Sequence, residues 1–213
     1  MPMCGRFAIM YDPEELKDML GLADVPADLQ PNPNVSPGDG VAVVTDGLKR
    51  GVDFFRWGLV PGWAKDISIG NKLINARAET LDEKPSFRNA FARRRCLIPA
   101  SGFYEWRAEG ARKQPYLFQL ADHKVLTFAG LWEHWQDNQG NELYSCVIIT
   151  TAPNTLVAEY HDRMPVIFDA ESCWSWLEDK PVKELQPLLQ AYPSEKMAEP
   201  IQMNPLDLRR IDR

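Results

Sequence analysis

Near its start the chain reads CGRF (4–7), a thiol, a glycine and a guanidinium in succession. A thiol with an ionised fraction near neutrality is a nucleophile. Gly5 lets the backbone come close to a ligand, and the donor fork of Arg6 suits a phosphate. A frayed tail leading into a buried strand reads the same way. Four further stretches place polar or aromatic groups where a plain core would not. WGLVPGWAK (57–65) brackets a Gly/Pro turn with two tryptophans, which are either core plugs or a stacking surface for bases. In INARAET (74–80), Asn75, Arg77 and Glu79 alternate and would share one face of a strand, as a site wall or a solvated face. GFYEW (102–106) sets Glu105 among aromatics. Apolar surroundings raise a carboxyl pKa and suit it to proton transfer; the alternative is an exposed edge residue paired with an arginine. EYHDRMP (159–165) puts His161 before a proline-terminated turn. A lone histidine is more often structural, yet imidazole is the side chain best able to move protons at neutral pH. Taken together, these stretches supply a thiol, a carboxylate, an imidazole, an amide and arginines, enough for thiol chemistry on an anionic substrate.

The elements that must hold these groups follow from local pattern. DPEELKDMLG (12–21) reads as a short helix: Asp12 caps it, Pro13 suits its first turn, Glu15 completes a capping box and Gly21 ends it. PADLQPNPNVSPGDG (26–40) is too rich in Pro and Asn for regular structure. VAVVTDGLKRGVDFFRW (41–57) predicts two strands joined at Asp46-Gly47. PSFRNAFARRR (85–95) predicts a helix with Phe87 and Phe91 facing inward. Strands are expected on both sides of Glu109-Gly110, and in VLTFAGLW (125–132) and LYSCVIITT (143–151). AESCWSWLED (170–179) and VKELQPLLQAY (182–192) look helical, with one short strand near Ile201. Many strands with few helices between them argue against a doubly wound parallel sheet. The expectation is α+β: a curved antiparallel sheet or barrel-like β core with peripheral helices. One domain over 1–213 is expected, its motifs in 4–168 and a helical part in 169–213.

Composition narrows the function classes. The 213 residues carry a net charge of −6, but unevenly. Residues 1–120 hold 16 Lys and Arg against 15 Asp and Glu, whereas 121–213 hold 8 against 15. With Arg77, Arg88, Arg93, Arg94 and Arg95 crowded together, a local basic groove is compatible with an acidic whole. The cysteines Cys4, Cys96, Cys146 and Cys173 are scattered without CxxC, and the three histidines lack metal-ligand spacing, so no metal site and no disulfide scaffold are predicted. No apolar run reaches the length of a membrane span and no signal peptide is evident, which leads to the expectation of a cytoplasmic protein, nucleoid-associated if bacterial.

CGRF, NPNVSPG (32–38), WGLVPGW, INARAET, RRRCLIPASGFYEW and HDRMP, in that order, strongly resemble the SOS-response-associated peptidase family, whose members are abasic-site processing proteins that shield damaged single-stranded DNA. The similarity runs from Cys4 to about residue 168. It implies Cys4 as the nucleophile that joins the ring-opened aldehyde, Glu105 as the acid/base group beside the linkage, His161 as a second proton-handling group and Asn75 as the amide that orients the sugar. It further implies Arg6 and Arg77 on flanking phosphates, Trp63 in a loop that separates strands, Thr150 near the DNA, and Asn34 in the loop that lines the site; Gly5, read above as leaving room for a ligand, is counted with the DNA-binding residues. A mixed α/β fold around a barrel-like sheet, no cofactor, an abasic single strand as partner together with replication-fork proteins, and a monomeric state are expected.

The chemistry agrees with this inventory. An aldehyde meeting a 1,2-aminothiol condenses with the amine and closes through sulfur to a thiazolidine, which requires an N-terminal cysteine. An α-amine of pKa about 7.7–8.0 and a thiol of about 8.5 are each partly deprotonated near neutrality, and Arg6 would depress both further. Here Met1-Pro2-Met3 precede Cys4, a departure from the family pattern. Translation starting at Met3 is the favoured explanation; self-removal of the leader and a gene-model or cloning addition compete with it. Two other functions stay open: a thiol peptidase or N-terminal-nucleophile amidohydrolase, and a non-covalent single-strand binder.

Overall fold

The computed structural model describes residues 5–45, 50–110, 112–122 and 124–208. Cys4 and the expected Asp46-Gly47 turn lie outside the described residues. In chain order the elements are β1 (Phe7–Ile9), α1 (Pro13–Leu20), β2 (Asn32–Val35), β3 (Gly40–Val43), β4 (Asp53–Trp57), β5 (Asn75–Arg77), α2 (Arg88–Arg93), β6 (Arg95–Ala100), β7 (Gly102–Glu109), β8 (Arg112–Phe118), β9 (Leu126–Gln136), β10 (Glu142–Thr151), β11 (Met164–Pro165), β12 (Ile167–Phe168), α3 (Val182–Leu185) and β13 (Ile201–Gln202).

The strands form two sheets. One runs β13-β8-β7-β1-β2, antiparallel throughout. The other runs β12-β9-β10-β4-β3, with β6 added on β9 and with β5 and β11 added on β10. Their inner faces pack through aromatic edges. Phe7 meets Trp57 at 5.1 Å and Phe128 at 5.6 Å between ring centroids, and within the first sheet Phe103 stacks on Phe118 at 5.1 Å. All five rings are buried, each contributing on the order of 1.5–3 kcal/mol or more by leaving water. The α+β architecture is thus the one expected, without barrel closure among the described residues: the sheets end at β2 and β13, and at β3 and β12. Two neighbours of β10, namely β4 and β5, run parallel to it.

The helix at 13–20 forms as its caps dictate. Glu15 N donates to Asp12 Oδ1 at 2.8 Å, Asp12 N donates to Glu15 Oε2 at 3.1 Å, and Gly21 closes the helix at φ +59° while Leu16 and Leu20 are buried. Other expectations need correction. The stretch 26–40 contains β2, because an edge strand tolerates the missing N–H of Pro33. The helix expected over 85–95 spans only Arg88–Arg93, and Arg95 already belongs to β6. The tail is less helical than expected. Cys173–Trp176 is a 3-10 turn, and the helix from Val182 stops at Leu185 and tightens into a 3-10 turn at Gln186–Leu188, where Pro187 lacks an N–H. The strand near Ile201 is present and pairs with β8.

Candidate functional site

Glu105 sits in the middle of the first sheet, with β8 on one side of β7 and β1 on the other, and is 3% exposed. It is therefore not the exposed edge residue considered from sequence. Alternation along β7 puts it on the same face as Phe103, which faces Phe128 of the second sheet. Tyr104 points the other way, packs with Ala8, Leu117 and Leu208, and donates its hydroxyl to the Pro33 carbonyl at 2.7 Å. Burial holds the Tyr104 hydroxyl above its ordinary pKa, so it remains a donor that ties β7 to β2. The Tyr104 amide donates to the Arg6 carbonyl at 3.1 Å, which brings the chain before β1 alongside the residue preceding Glu105.

Arg6 itself is half-buried and points at two distant segments. Its Nη1 donates to Asn34 Oδ1 at 2.5 Å and to the Leu208 carbonyl at 2.9 Å. Asn34 also lines an open groove of about 730 Å³ that includes Asn32, Ser36, Asp39, Phe54 and Asp207.

On the second sheet three segments converge on Thr150. β5 pairs parallel with β10, setting Asn75 against Ile148 and Arg77 against Thr150. On the other edge, β11 sets Pro165 against the same Thr150. The Thr150 hydroxyl donates to the Ala76 carbonyl at 3.4 Å. Asn75 is half-buried and Arg77 exposed, on one face, as the alternation predicted. The predicted row ends there: Ala78–Thr80 turns into a 3-10 helix, and Glu79 leaves the strand to pair with Arg163. Arg163 also donates through Nη2 to the Thr150 carbonyl at 2.6 Å, and its main-chain N–H donates to Nδ1 of His161 at 3.2 Å.

Rings join the first sheet to the segment that leads into His161. Glu105 faces Tyr116 across the β7–β8 ladder. Tyr116 meets Tyr160 edge-on at 4.8 Å, and the Arg107 guanidinium lies 5.0 Å from the Tyr116 ring centroid and 5.1 Å from that of Tyr160. Tyr160 immediately precedes His161. Contacts on the first sheet thus reach from β7 and β8 to Tyr160, next to His161 in the chain, while on the second sheet Arg163 ties the His161 turn to Thr150, which Arg77 of β5 faces.

Trp63 stands at a different place, in the excursion between β4 and β5. The two tryptophans of WGLVPGW differ in burial, and only Trp57 is a core plug. Trp57 is fully buried and donates Nε1 to the Ile74 carbonyl at 2.9 Å, while Trp63 is 61% exposed beside a hollow of about 420 Å³ with Lys65, Ser68 and Lys72. The excursion is held at its neck. Leu59 N donates to the Leu73 carbonyl at 3.0 Å, and Gly58 N to the Cys146 carbonyl at 2.8 Å. Gly58 has φ +120°, and a Cβ on Gly70 would come within 2.6 Å of the Gly58 carbonyl oxygen. Farther out, Trp135 Nε1 donates to the Ala64 carbonyl at 2.7 Å, steadying the segment that carries Trp63.

The arginine cluster is smaller than its sequence density suggested. Arg95 is buried and spends its donors on the carbonyls of Phe91, Ala92, Trp176 and Glu178, and Arg94 pairs with Glu133. Arg77, Arg88 and Arg93 remain exposed. Cys96, Cys146 and Cys173 are buried, and loss of solvent pushes all three thiols up, Cys173 to about 11. Such thiols are poor nucleophiles near neutrality. Sequence reading missed Arg163, Tyr116 and Tyr160, whose partners are far away in the chain. Only the place of Arg163 within HDRMP gave a signal.

The profile of the SOS response associated peptidase family matches residues 3–204. The chain is 43% identical over 201 residues to abasic site processing protein YoqW of Bacillus subtilis, covering 92% of this chain and 90% of that one. It is 30% identical to abasic site processing protein YedK of Escherichia coli, over 84% of this chain and 81% of the other. A crystal structure of a protein from Bacteroides thetaiotaomicron superposes with a TM-score of 0.88 at 30% identity, over 95% of this chain and 93% of that one. This chain belongs to the SOS response associated peptidase family.

Proposed function

We propose that this protein processes abasic sites in single-stranded DNA by forming a covalent linkage through Cys4. The observation that carries this reading is the buried Glu105, held between β1 and β8 on the face toward His161's neighbour Tyr160, in a chain whose relatives are named abasic site processing proteins. Burial of the three other thiols, which pushes their pKa values up, supports a nucleophile outside them.

In the proposed reaction the deoxyribose ring opens to its aldehyde as Glu105 protonates the ring oxygen. The α-amine of Cys4 adds to the carbonyl carbon, water leaves to give an imine, and the thiol sulfur adds to that carbon to close the thiazolidine. One water is released, the thiol proton passes to nitrogen, and no oxidant or reductant is consumed. His161 handles the second proton, Asn75 orients the sugar, Arg6 and Arg77 hold flanking phosphates, Thr150 and Asn34 border the strand, and Gly5 leaves room for it. The exposed Trp63 stacks on or separates bases. Ring closure needs a free amine on Cys4, so this reading requires a mature chain that begins there.

Incubation with a single-stranded oligonucleotide bearing one abasic site, followed by denaturing electrophoresis, tests the reading. A shifted band is expected, absent in Cys4→Ala, from protein whose intact mass shows Cys4 at the N-terminus. No shift from that verified protein overturns the proposal. Peptide cleavage without an adduct would replace it with a thiol peptidase, and salt-sensitive binding alone with a non-covalent binder.

A further inference from the structure

Glu79 and Arg163 form a two-pronged ion pair, Nη1 to Oε1 and Nη2 to Oε2, the latter at 2.7 Å. Parallel N–H···O bonds of this kind fix orientation as well as distance. The same guanidinium grips the Thr150 carbonyl, so Arg163 is tied to both β10 and the turn after β5. Its main chain in turn holds His161 by donating to Nδ1. We infer that Glu79 is a positioning residue, which through Arg163 sets the orientation and the tautomer of His161.

The tautomer follows from hydrogen-bond direction. A ring nitrogen that accepts from an N–H carries no proton, so neutral His161 places its proton on Nε2. A second group competes for Nδ1: the Asp162 carboxylate lies 2.9 Å away and pairs only with a protonated Nδ1. Asp162 is 89% exposed, and an ion pair so hydrated is weak. Two partners thus contend for one nitrogen, and the Glu79–Arg163 clamp decides for the main-chain donor. Without the clamp the 161–163 turn loosens, Asp162 captures Nδ1–H, and the proton leaves the nitrogen that would face substrate.

This rests on the proposed proton-handling role of His161, and the experiment separates the two. Long-range ¹H–¹⁵N spectra of the histidine rings, assigned with His161→Gln, report the tautomer independently of any reaction. The wild type is expected to show Nε2–H for His161, Glu79→Gln a mixture with Nδ1–H, and Glu79→Asp the wild-type form. Crosslink formation at saturating protein is expected to slow about ten- to a hundredfold in Glu79→Gln, the scale of a misplaced reacting group, and to recover in Glu79→Asp. An unshifted tautomer in Glu79→Gln overturns the inference, whatever the rate. A shifted tautomer with an unchanged rate upholds the positioning and removes His161 from the proposed reaction.

Discussion

Arg6 and Leu208 lie 202 positions apart in the chain and are joined by a 2.9 Å hydrogen bond, from Nη1 to the carbonyl oxygen. Asn34 accepts from the same nitrogen, so a guanidinium at the start of the fold is aimed by β2 and by the last described residue. Pre-aimed side chains lose less freedom when a ligand arrives. Arg6→Ala is therefore expected to weaken single-stranded DNA binding and to flatten the log Kd against log salt line by about 0.7, the share of one phosphate. Asn34→Ala should keep the slope and raise Kd by about three- to tenfold, the cost of ordering one long side chain. Anisotropy titrations at several salt concentrations check both. An unaltered slope in Arg6→Ala would mean that Arg6 does not meet the backbone.

Glu105 is buried in the middle of its sheet, opposite Tyr116, and its proposed task is proton transfer. Glu105→Gln keeps the shape and removes the exchangeable acid. Formation or reversal of the adduct is expected to slow by about a hundredfold or more, the range of general acid–base catalysis. Time courses in both directions are the measurement, and equal rates in both would take Glu105 out of the reaction.

The Trp63 excursion separates stability from binding. Gly70→Ala would drive a Cβ against the Gly58 carbonyl, and the expected cost is about 1–3 kcal/mol of unfolding free energy with a displaced Trp63. Trp63→Ala alters an exposed side chain that is not among the core residues. It should leave the denaturation midpoint in place and weaken single-strand binding by about 1–3 kcal/mol, the value of one stacked base. Chemical denaturation and binding titrations on both variants read these outcomes.

Arg163 holds the Glu79 carboxyl below its ordinary value of 4.5. The folded state then binds that proton less readily than the unfolded chain does. The stabilisation is full above about pH 4.5 and fades as pH falls through the depressed folded value. Because Glu79 is half-exposed, it amounts to less than about 1 kcal/mol. The melting-temperature gap between wild type and Glu79→Gln should be widest near neutrality and close on acidification. A gap that stays constant with pH would place the effect outside this ion pair.

Local signals carried the reading of sequence furthest. The capping box at Asp12 and Glu15, the strands around Glu109-Gly110 and the apolar runs at 125–132 and 143–151 are written in neighbouring residues, and each formed. What sequence could not carry was pairing over distance. Whether Trp57 or Trp63 would be the plug depended on the Ile74 carbonyl. Arg95 looked like a surface cation until the 173–178 turn supplied it with acceptors. Glu79 followed the alternation of its strand until Arg163 drew it away. Pro33 argued against a strand only because its place at the sheet edge was not visible. The candidate site was recognisable as a set of motifs, but the Glu79–Arg163–His161 relay within it was not.

The excursion from Gly58 to Ile74 leaves β10 beside Cys146 and comes back beside Ile148, with Leu59 and Leu73 buttoned together between them. Its exit and return are thus nearly one point on the sheet, and whatever lies past that clasp behaves as a cassette. Segments of other lengths or compositions could be exchanged there without shifting Asn75 or Arg77, so the surface that carries Trp63 can be varied independently of β5.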